Sequence, residues 1–153
     1  MTDFPLGLDI FAQGATEYFD QYKDEITARI VVHIYLADQS KPIPTIVDTG
    51  APWCILDPLL FKQVEWSAEP LHKLQAPLNI RGLNYQGWLY RMPIRFEALI
   101  GEAQEVPATV FVPDLLPDDE WRFPNFIGLD GFLNRIRFAV DPASNLFYFG
   151  ELG

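Results

Sequence analysis

Residues 42–56, PIPTIVDTGAPWCIL, contain the side chains whose types and spacing could do chemistry. An apolar, β-branched run typical of a buried strand ends there at Asp48, which is followed by a small hydroxyl residue and a glycine. Burying a lone carboxylate is costly unless the group is paired or protonated. A strand that ends in this way either turns into solvent or builds a site, so Asp48 is the first candidate for acid/base chemistry.

Composition excludes several classes of function. The chain has 153 residues, of which 49% are hydrophobic, and this is enough to form the core of one compact domain. The formal net charge of −10 argues against a nucleic-acid partner, which normally requires a basic face. No apolar run approaches the roughly 20 residues that span a bilayer, and the N-terminus lacks the pattern of an export signal. We therefore expect a cytoplasmic protein with neither a nucleic-acid nor a membrane partner.

The residues that could bind a metal ion form a poor set. Cys54 is the single cysteine and cannot form an intramolecular disulfide, and only His33 and His72 accompany it. We expect no metal and no cofactor, and we expect both imidazoles to be solvated or satisfied by ordinary hydrogen bonds. No histidine is near Cys54 in the sequence, so it is interpreted as a small buried apolar residue and not as a nucleophile.

The elements that position Asp48 are predicted to be β-strands. Residues 28–38 are β-branched and aromatic, and a turn-rich connection leads from them to the short strand that ends at Asp48. Residues 78–96 have apolar side chains at every second position on both sides of a tip from Gly82 to Gly87, which predicts a long hairpin.

The C-terminal half continues the strand pattern. Residues 106–113 alternate again, and a short apolar strand at 126–128 precedes a brief helical stretch predicted over 129–136. A hairpin is predicted around residues 141–145. Strands at this spacing, with 13 prolines between and within them, indicate a closed or nearly closed β fold.

The sequence Asp-Thr-Gly-Ala at residues 48–51 resembles the active-site turn of aspartic proteases, specifically the retropepsin-like (retroviral-type) class. The family has a second element of two apolar residues and a glycine before a short helix, which Phe126, Ile127 and Gly128 match. It also places a flap hairpin between the two elements, where residues 78–96 lie. The resemblance covers roughly residues 28–150.

The resemblance implies a fold and a domain organisation. The expected fold is all-β, a closed or nearly closed β-barrel of retropepsin (acid protease) type with a flap hairpin and one short C-terminal helix. Residues 28–153 would form a single retropepsin-like aspartic protease domain. Residues 1–27 would be an N-terminal extension, partly ordered and packed on the domain.

The resemblance also implies an activity, that of an aspartic endopeptidase acting on polypeptides. Hydrolysis by activated water needs two carboxyl groups that share one proton. Because the chain contains one Asp-Thr-Gly, the second Asp48 should come from another copy of the chain across a two-fold axis, in a homodimer.

Family roles carry over to individual positions. Asp48 would be the catalytic acid/base, Thr49 would cross-link the two turns, and Gly50 would leave room beside the carboxylate. Substrate contacts are expected from Ala51 and from flap and wall residues. The expected substrate-binding residues are Ala51, Gly82, Tyr85, Gly87, Trp88, Ile127 and Gly128.

The chain departs from the family at two positions. Many members have an aspartate and an arginine where this chain has Pro52 and Leu129, and the pair braces the dimer; here apolar packing must replace it. Alternative interpretations are a non-catalytic dimeric peptide-binding or assembly module on the same fold, or an ordinary turn capped by Asp48. Gly128 could likewise be only a strand-to-helix turn.

Overall fold

The computed structural model describes residues 10–20, 25–98, 103–141, 143 and 146–152, with side chains described from residue 29 onward. Residues 1–9 and 21–24 of the expected N-terminal extension lie outside this description. The described residues form twelve strands: β1 (Ile10–Asp20), β2 (Glu25–Leu36), β3 (Ile43–Val47), β4 (Cys54–Ile55), β5 (Glu69–Lys73), β6 (Leu78–Ile80), β7 (Leu83–Tyr85), β8 (Gly87–Phe96), β9 (Gln104–Pro113), β10 (Asn125–Ile127), β11 (Arg137–Asp141) and β12 (Leu146–Gly150). They also form one α-helix, α1 (Pro58–Val64), and two 3-10 helices, Glu65–Ser67 and Leu133–Arg135.

Six of the strands close a barrel. The main sheet has the order β11-β12-β1-β2-β3-β10-β4-β9-β8-β5, and β2 also pairs with β8. This second pairing joins Tyr35 to Arg95 and Leu36 to Ile94, and it closes the ring β2-β3-β10-β4-β9-β8. β1 extends the sheet from β2 to the hairpin of β11 and β12, which was predicted around residues 141–145. Closure removes the free edges that these six strands would otherwise expose.

The short strands β3, β4 and β10 bring the two sequence motifs together. β3 and β10 are parallel, with Thr45 opposite Asn125 and Val47 opposite Ile127. β4 returns antiparallel to β10 and parallel to β9. The chain therefore leaves β3 at residue 48 directly beside the point where it leaves β10 at residue 128.

The hairpin between the motifs differs from its prediction. Its strands are β6 and β7, and the chain reverses at Arg81 and Gly82, whose φ angles are 51° and 88°. Positive φ at both loop positions is typical of two-residue hairpin turns. β8 begins at Gly87 and pairs with β5 and β9, outside this hairpin. The prediction of a tip from Gly82 to Gly87 is therefore wrong, and Gly87 and Trp88 are not flap residues.

Two apolar clusters contain most of the buried side chains among the described residues. The larger one lies inside the barrel, where the ring of Phe96 is 5.3 Å from that of Phe132, 5.5 Å from Phe147 and 4.9 Å from Phe149, measured between centroids. The second cluster joins the hairpin to β3, β4 and β10. Its buried members are Val31, Ile46, Ile55, Ile80, Leu89, Phe111, Trp121, Phe123 and Phe126.

The helices named above, in the described part of the chain, are short. α1 begins because the carboxylate of Asp57 accepts a hydrogen bond from the backbone N–H of Leu59 at 2.9 Å and because Pro58 fits the first helical turn. It packs through Phe61 and Val64. In the stretch 129–136, where a brief helix was predicted, the structure has turns and the single 3-10 turn Leu133–Arg135.

Candidate active site

The turn after β3 fixes the carboxylate of Asp48. The backbone N–H of Asp48 donates to the carbonyl of Ile127 at 2.9 Å, which ties the turn to β10. The N–H of Gly50 donates to Oδ1 of Asp48 at 2.9 Å, and the N–H of Ala51 donates to the backbone carbonyl of Asp48 at 3.1 Å. The small residues that follow Asp48 let the backbone fold back onto it, so one carboxylate oxygen is already hydrogen-bonded and the side chain is held in place.

The turn after β10 is clamped to the segment that follows Ala51. The N–H of Leu129 donates to the carbonyl of Ala51 at 2.9 Å, and that of Asp130 donates to the carbonyl of Pro52 at 2.7 Å. Gly128 makes this crossing possible, because a β-carbon built on it would lie 2.1 Å from the carbonyl oxygen of Trp53. The turn that contains the second motif therefore supports the segment that contains the first motif through these backbone contacts.

A cleft of about 420 Å³ opens over Asp48. Its floor comes from β3, β4, β10 and the Asp48 turn, and its roof comes from the hairpin. The lining residues are Arg29, Ile46, Val47, Asp48, Gly50, Ala51, Pro52, Ile55, Leu78, Asn79, Ile80, Arg81 and Phe126. Asp48 is the only carboxylate among these described residues, and its side chain is half-buried.

Three of the predicted site residues line this cleft together: Asp48, Gly50 and Ala51. Thr49 lies between them in the sequence, but it is exposed and is not among the residues that line the cleft. Ile127 and Gly128 are buried behind the cleft. Their contribution to the cleft is to hold the Asp48 turn in place through backbone contacts at the end of β10.

The other predicted contacts lie away from the cleft. Gly82 is exposed at the hairpin tip. Tyr85 lines a neighbouring hollow, and its ring centroid is 5.5 Å from that of Trp121. Gly87 is a packing residue, because a β-carbon on it would lie 2.4 Å from the carbonyl oxygen of Val112. Trp88 lies opposite Lys73 in the pairing with β5.

Sequence reasoning missed the charged lining of the cleft. Arg29 and Arg81 both line it, although they are far apart in the sequence and belong to no motif. The contribution of Leu78 and Ile80 to the cleft could have been predicted, since two apolar residues two positions apart in a strand lie on the same face. No local pattern identified the two arginines.

Cys54 lies behind the cleft and is fully buried. Burial raises the pKa of its thiol from 9.0 to about 12, and a hydrogen bond from the backbone of Gly128 offsets only part of this effect. A thiol that stays protonated at neutral pH is a poor nucleophile. The interpretation of Cys54 as a small buried apolar residue is therefore confirmed.

The described residues contain no group of three or more histidine, cysteine, aspartate or glutamate side chains placed to hold a metal ion. Of the helices in the described part of the chain, none combines the length and the apolar character needed to cross a bilayer.

Comparisons with known proteins bear on the fold. No protein-family model matches the sequence, and no curated protein matches it significantly. Among solved structures, Basic 7S globulin from soybean matches 95% of this chain and 51% of its own chain at 11% identity and a TM-score of 0.52. This chain thus spans about half the length of that protein.

Two solved proteases are also similar to this chain. The EIAV protease complexed with an inhibitor is 13% identical over 65% of this chain and 81% of its own, with a TM-score of 0.41. A retropepsin-like aspartic protease from Rickettsia conorii is 18% identical over 94% of this chain and 92% of its own, with a TM-score of 0.44. The predicted fold class is confirmed in its architecture, an all-β fold with a closed barrel and little helix.

Proposed function

We propose that this chain is one subunit of a homodimeric aspartic endopeptidase in which Asp48 of each copy supplies a catalytic carboxyl group. The observation that carries the proposal is the Asp48 carboxylate, held by the N–H of Gly50 at the floor of a cleft between the barrel and the hairpin. The pairing of the Asp48 turn with the turn after β10 supports it further, because both sequence motifs then serve one site.

The chemistry requires two carboxyl groups with one proton between them. The ionised Asp48 accepts a proton from water as the water oxygen attacks the peptide carbonyl carbon. The protonated Asp48 of the second copy donates its proton to the carbonyl oxygen, and the tetrahedral intermediate forms. Its collapse breaks the C–N bond while a proton passes to the leaving amine.

One copy supplies only half of this arrangement, since Asp48 is the single carboxylate among the described residues of the cleft lining. The turn is suited to meeting a second copy: Thr49, Gly50 and Pro52 are exposed. Leu129, where many family members have an arginine, is an apolar side chain 44% exposed beside the turn. Burial of this leucine against the second copy would provide the apolar bracing expected in place of an ion pair.

The first test is cleavage of a diverse peptide library between about pH 4 and pH 7 by the wild type and by Asp48→Asn, read by mass spectrometry. Asp48→Asn keeps the shape of the side chain and removes the charge. We expect it to lose at least about 100-fold in activity, as for a group that transfers protons in the transition state. Asp130→Asn is the matched control, because Asp130 is an exposed carboxylate outside the cleft lining and should leave cleavage unchanged.

Two results would contradict the mechanism. One is a strict monomer, by sedimentation, under conditions where cleavage occurs. The other is activity that rises steadily to about pH 9, because the mechanism requires one of the two carboxyl groups to be protonated. A folded dimer that binds peptides without cutting them would instead support the alternative, a binding module on the same fold.

A further inference from the structure

The charges of the cleft differ from those of the whole chain. The chain has 21 acidic and 11 basic residues, excluding histidine, for a formal net charge of −10. The charged residues that line the cleft are nevertheless two arginines, Arg29 and Arg81, and one carboxylate, Asp48. The whole chain has about twice as many acidic as basic side chains, whereas the cleft lining has twice as many basic as acidic side chains.

Arg81 is held over the cleft by its place in the hairpin. It occupies the first loop position with a φ of 51°, and Asn79 stabilises this loop by accepting a hydrogen bond from the N–H of Gly82 at 3.1 Å. The guanidinium carbon is 5.7 Å from the ring centroids of both Phe123 and Phe126. Contact with two aromatic faces keeps a guanidinium oriented while it stays charged, which limits the entropy lost on binding an anion.

Arg29 approaches the cleft from the barrel. In the pairing of β2 with β3, Val31 lies opposite Ile46. Arg29 precedes Val31 by two residues on β2, so both side chains lie on the same face of the strand, and Arg29 lines the cleft. Arg29 therefore contributes its charge from the barrel side of the cleft, and Arg81 contributes its charge from the hairpin side.

We propose that this cleft selects polypeptides that carry an aspartate or glutamate close to the scissile bond, and that Arg29 and Arg81 determine this specificity. The inference rests on the proposed function in that a peptide must occupy this cleft. Both arginines line the same cleft, and charges that are partly buried are screened less by salt than exposed ones, so both guanidinium groups act on a carboxylate bound inside it. A guanidinium also matches a carboxylate with two parallel hydrogen bonds.

The test compares matched peptides that differ only in aspartate or asparagine at each position from four residues before to four residues after the cleaved bond. We measure kcat/KM for the wild type, Arg81→Gln, Arg81→Glu and Arg29→Gln. Arg122→Glu is the matched control: its side chain is 70% exposed, it lines the neighbouring hollow and not the cleft, and its substitution changes the net charge as Arg81→Glu does. Circular dichroism and thermal unfolding check that each variant is folded.

We expect the wild type to prefer aspartate about tenfold at one or two positions. Each neutral variant should reduce the preference about threefold, and Arg81→Glu should abolish or reverse it, consistent with charge pairs near a protein surface. Arg122→Glu should keep the wild-type ratio. Raising the salt concentration from about 0.05 M to 0.5 M should weaken the wild-type preference, because exposed charges are screened.

The outcomes separate this inference from the proposed function. Equal cleavage of both members of every pair, or a preference that Arg81→Glu and Arg29→Gln leave intact, would overturn the specificity and keep the endopeptidase. If the wild type cuts nothing, fluorescence anisotropy with labelled peptides replaces kinetics. Tighter binding of the aspartate peptide that Arg81→Glu removes would then support the inference while catalysis fails, and no binding would overturn both.

Discussion

Gly128→Ala gives a sharp test of how the site is built. A β-carbon at this position would lie 2.1 Å from the carbonyl oxygen and 2.2 Å from the carbonyl carbon of Trp53, against a favourable separation of about 3.5 Å. Both clashing atoms are backbone atoms of the segment that carries the first motif, so no rotation of a flexible side chain can relieve the overlap. The two turns must move apart.

The size of the effect follows from what that movement breaks. Overpacking a tight site costs about 1–3 kcal/mol. Separation also stretches the hydrogen bonds that Leu129 and Asp130 donate to Ala51 and Pro52, each worth about 1 kcal/mol. The lower entropy of alanine in the unfolded chain returns about 0.4–1 kcal/mol. We expect Gly128→Ala to lower the free energy of unfolding by about 3 kcal/mol and Tm by about 6–12 °C for a domain of this length.

The measurement is urea unfolding followed by tryptophan fluorescence, with Gly50→Ala as the matched control. Gly50 is exposed, and its added β-carbon would meet only Oδ1 of Asp48, at 3.2 Å. The free energy of unfolding of Gly50→Ala should stay within about 1 kcal/mol of the wild-type value. A loss below about 1 kcal/mol in Gly128→Ala, with an unchanged m value, would refute the close crossing of the two turns.

Two further predictions concern stability. Because the buried thiol of Cys54 has its pKa raised to about 12, the folded chain keeps a proton that the unfolded chain releases above its ordinary value of 9.0. The free energy of unfolding should therefore lose about 1.4 kcal/mol per pH unit above that value, and urea unfolding from about pH 8 to pH 10.5 should show this extra slope in the wild type and not in Cys54→Ala. Asp57→Ala removes the N-cap hydrogen bond from Leu59 and should lower the free energy of unfolding by about 1 kcal/mol. Asp57→Asn keeps an accepting oxygen and should keep most of this stability. An equal loss in both variants would contradict the capping role.

Much of the barrel could be predicted from local patterns. The strands β2, β3 and β9 have β-branched or alternating residues, and the structure contains them where these patterns indicated. The Asp48 turn followed from a strand that ends in small and polar residues. These features depend on neighbours in the sequence, which is why sequence alone sufficed.

The hairpin and the cleft depend on distant contacts, and there the sequence was misleading or silent. Gly87 was interpreted as part of a turn, but it is glycine because Phe111 and Val112 pack against its backbone. The actual reversal uses Arg81, a residue type without a strong turn preference, at positive φ. The signal for α1 was present in Asp57 and Pro58, an N-cap followed by proline, and it was overlooked.

The parallel pairing of β3 with β10 has a consequence for synthesis. Thr45 lies opposite Asn125, 80 positions later in the chain, and the Asp48 turn hydrogen-bonds to Ile127. Closing so long a loop is entropically expensive and comes late relative to local hairpins. A growing chain that has left the ribosome only as far as the hairpin therefore carries the Asp-Thr-Gly segment without the strand that shapes it. The cleft over Asp48 is therefore assembled only after β10 has emerged, so an unfinished chain lacks the formed cleft whatever the length of its barrel already made.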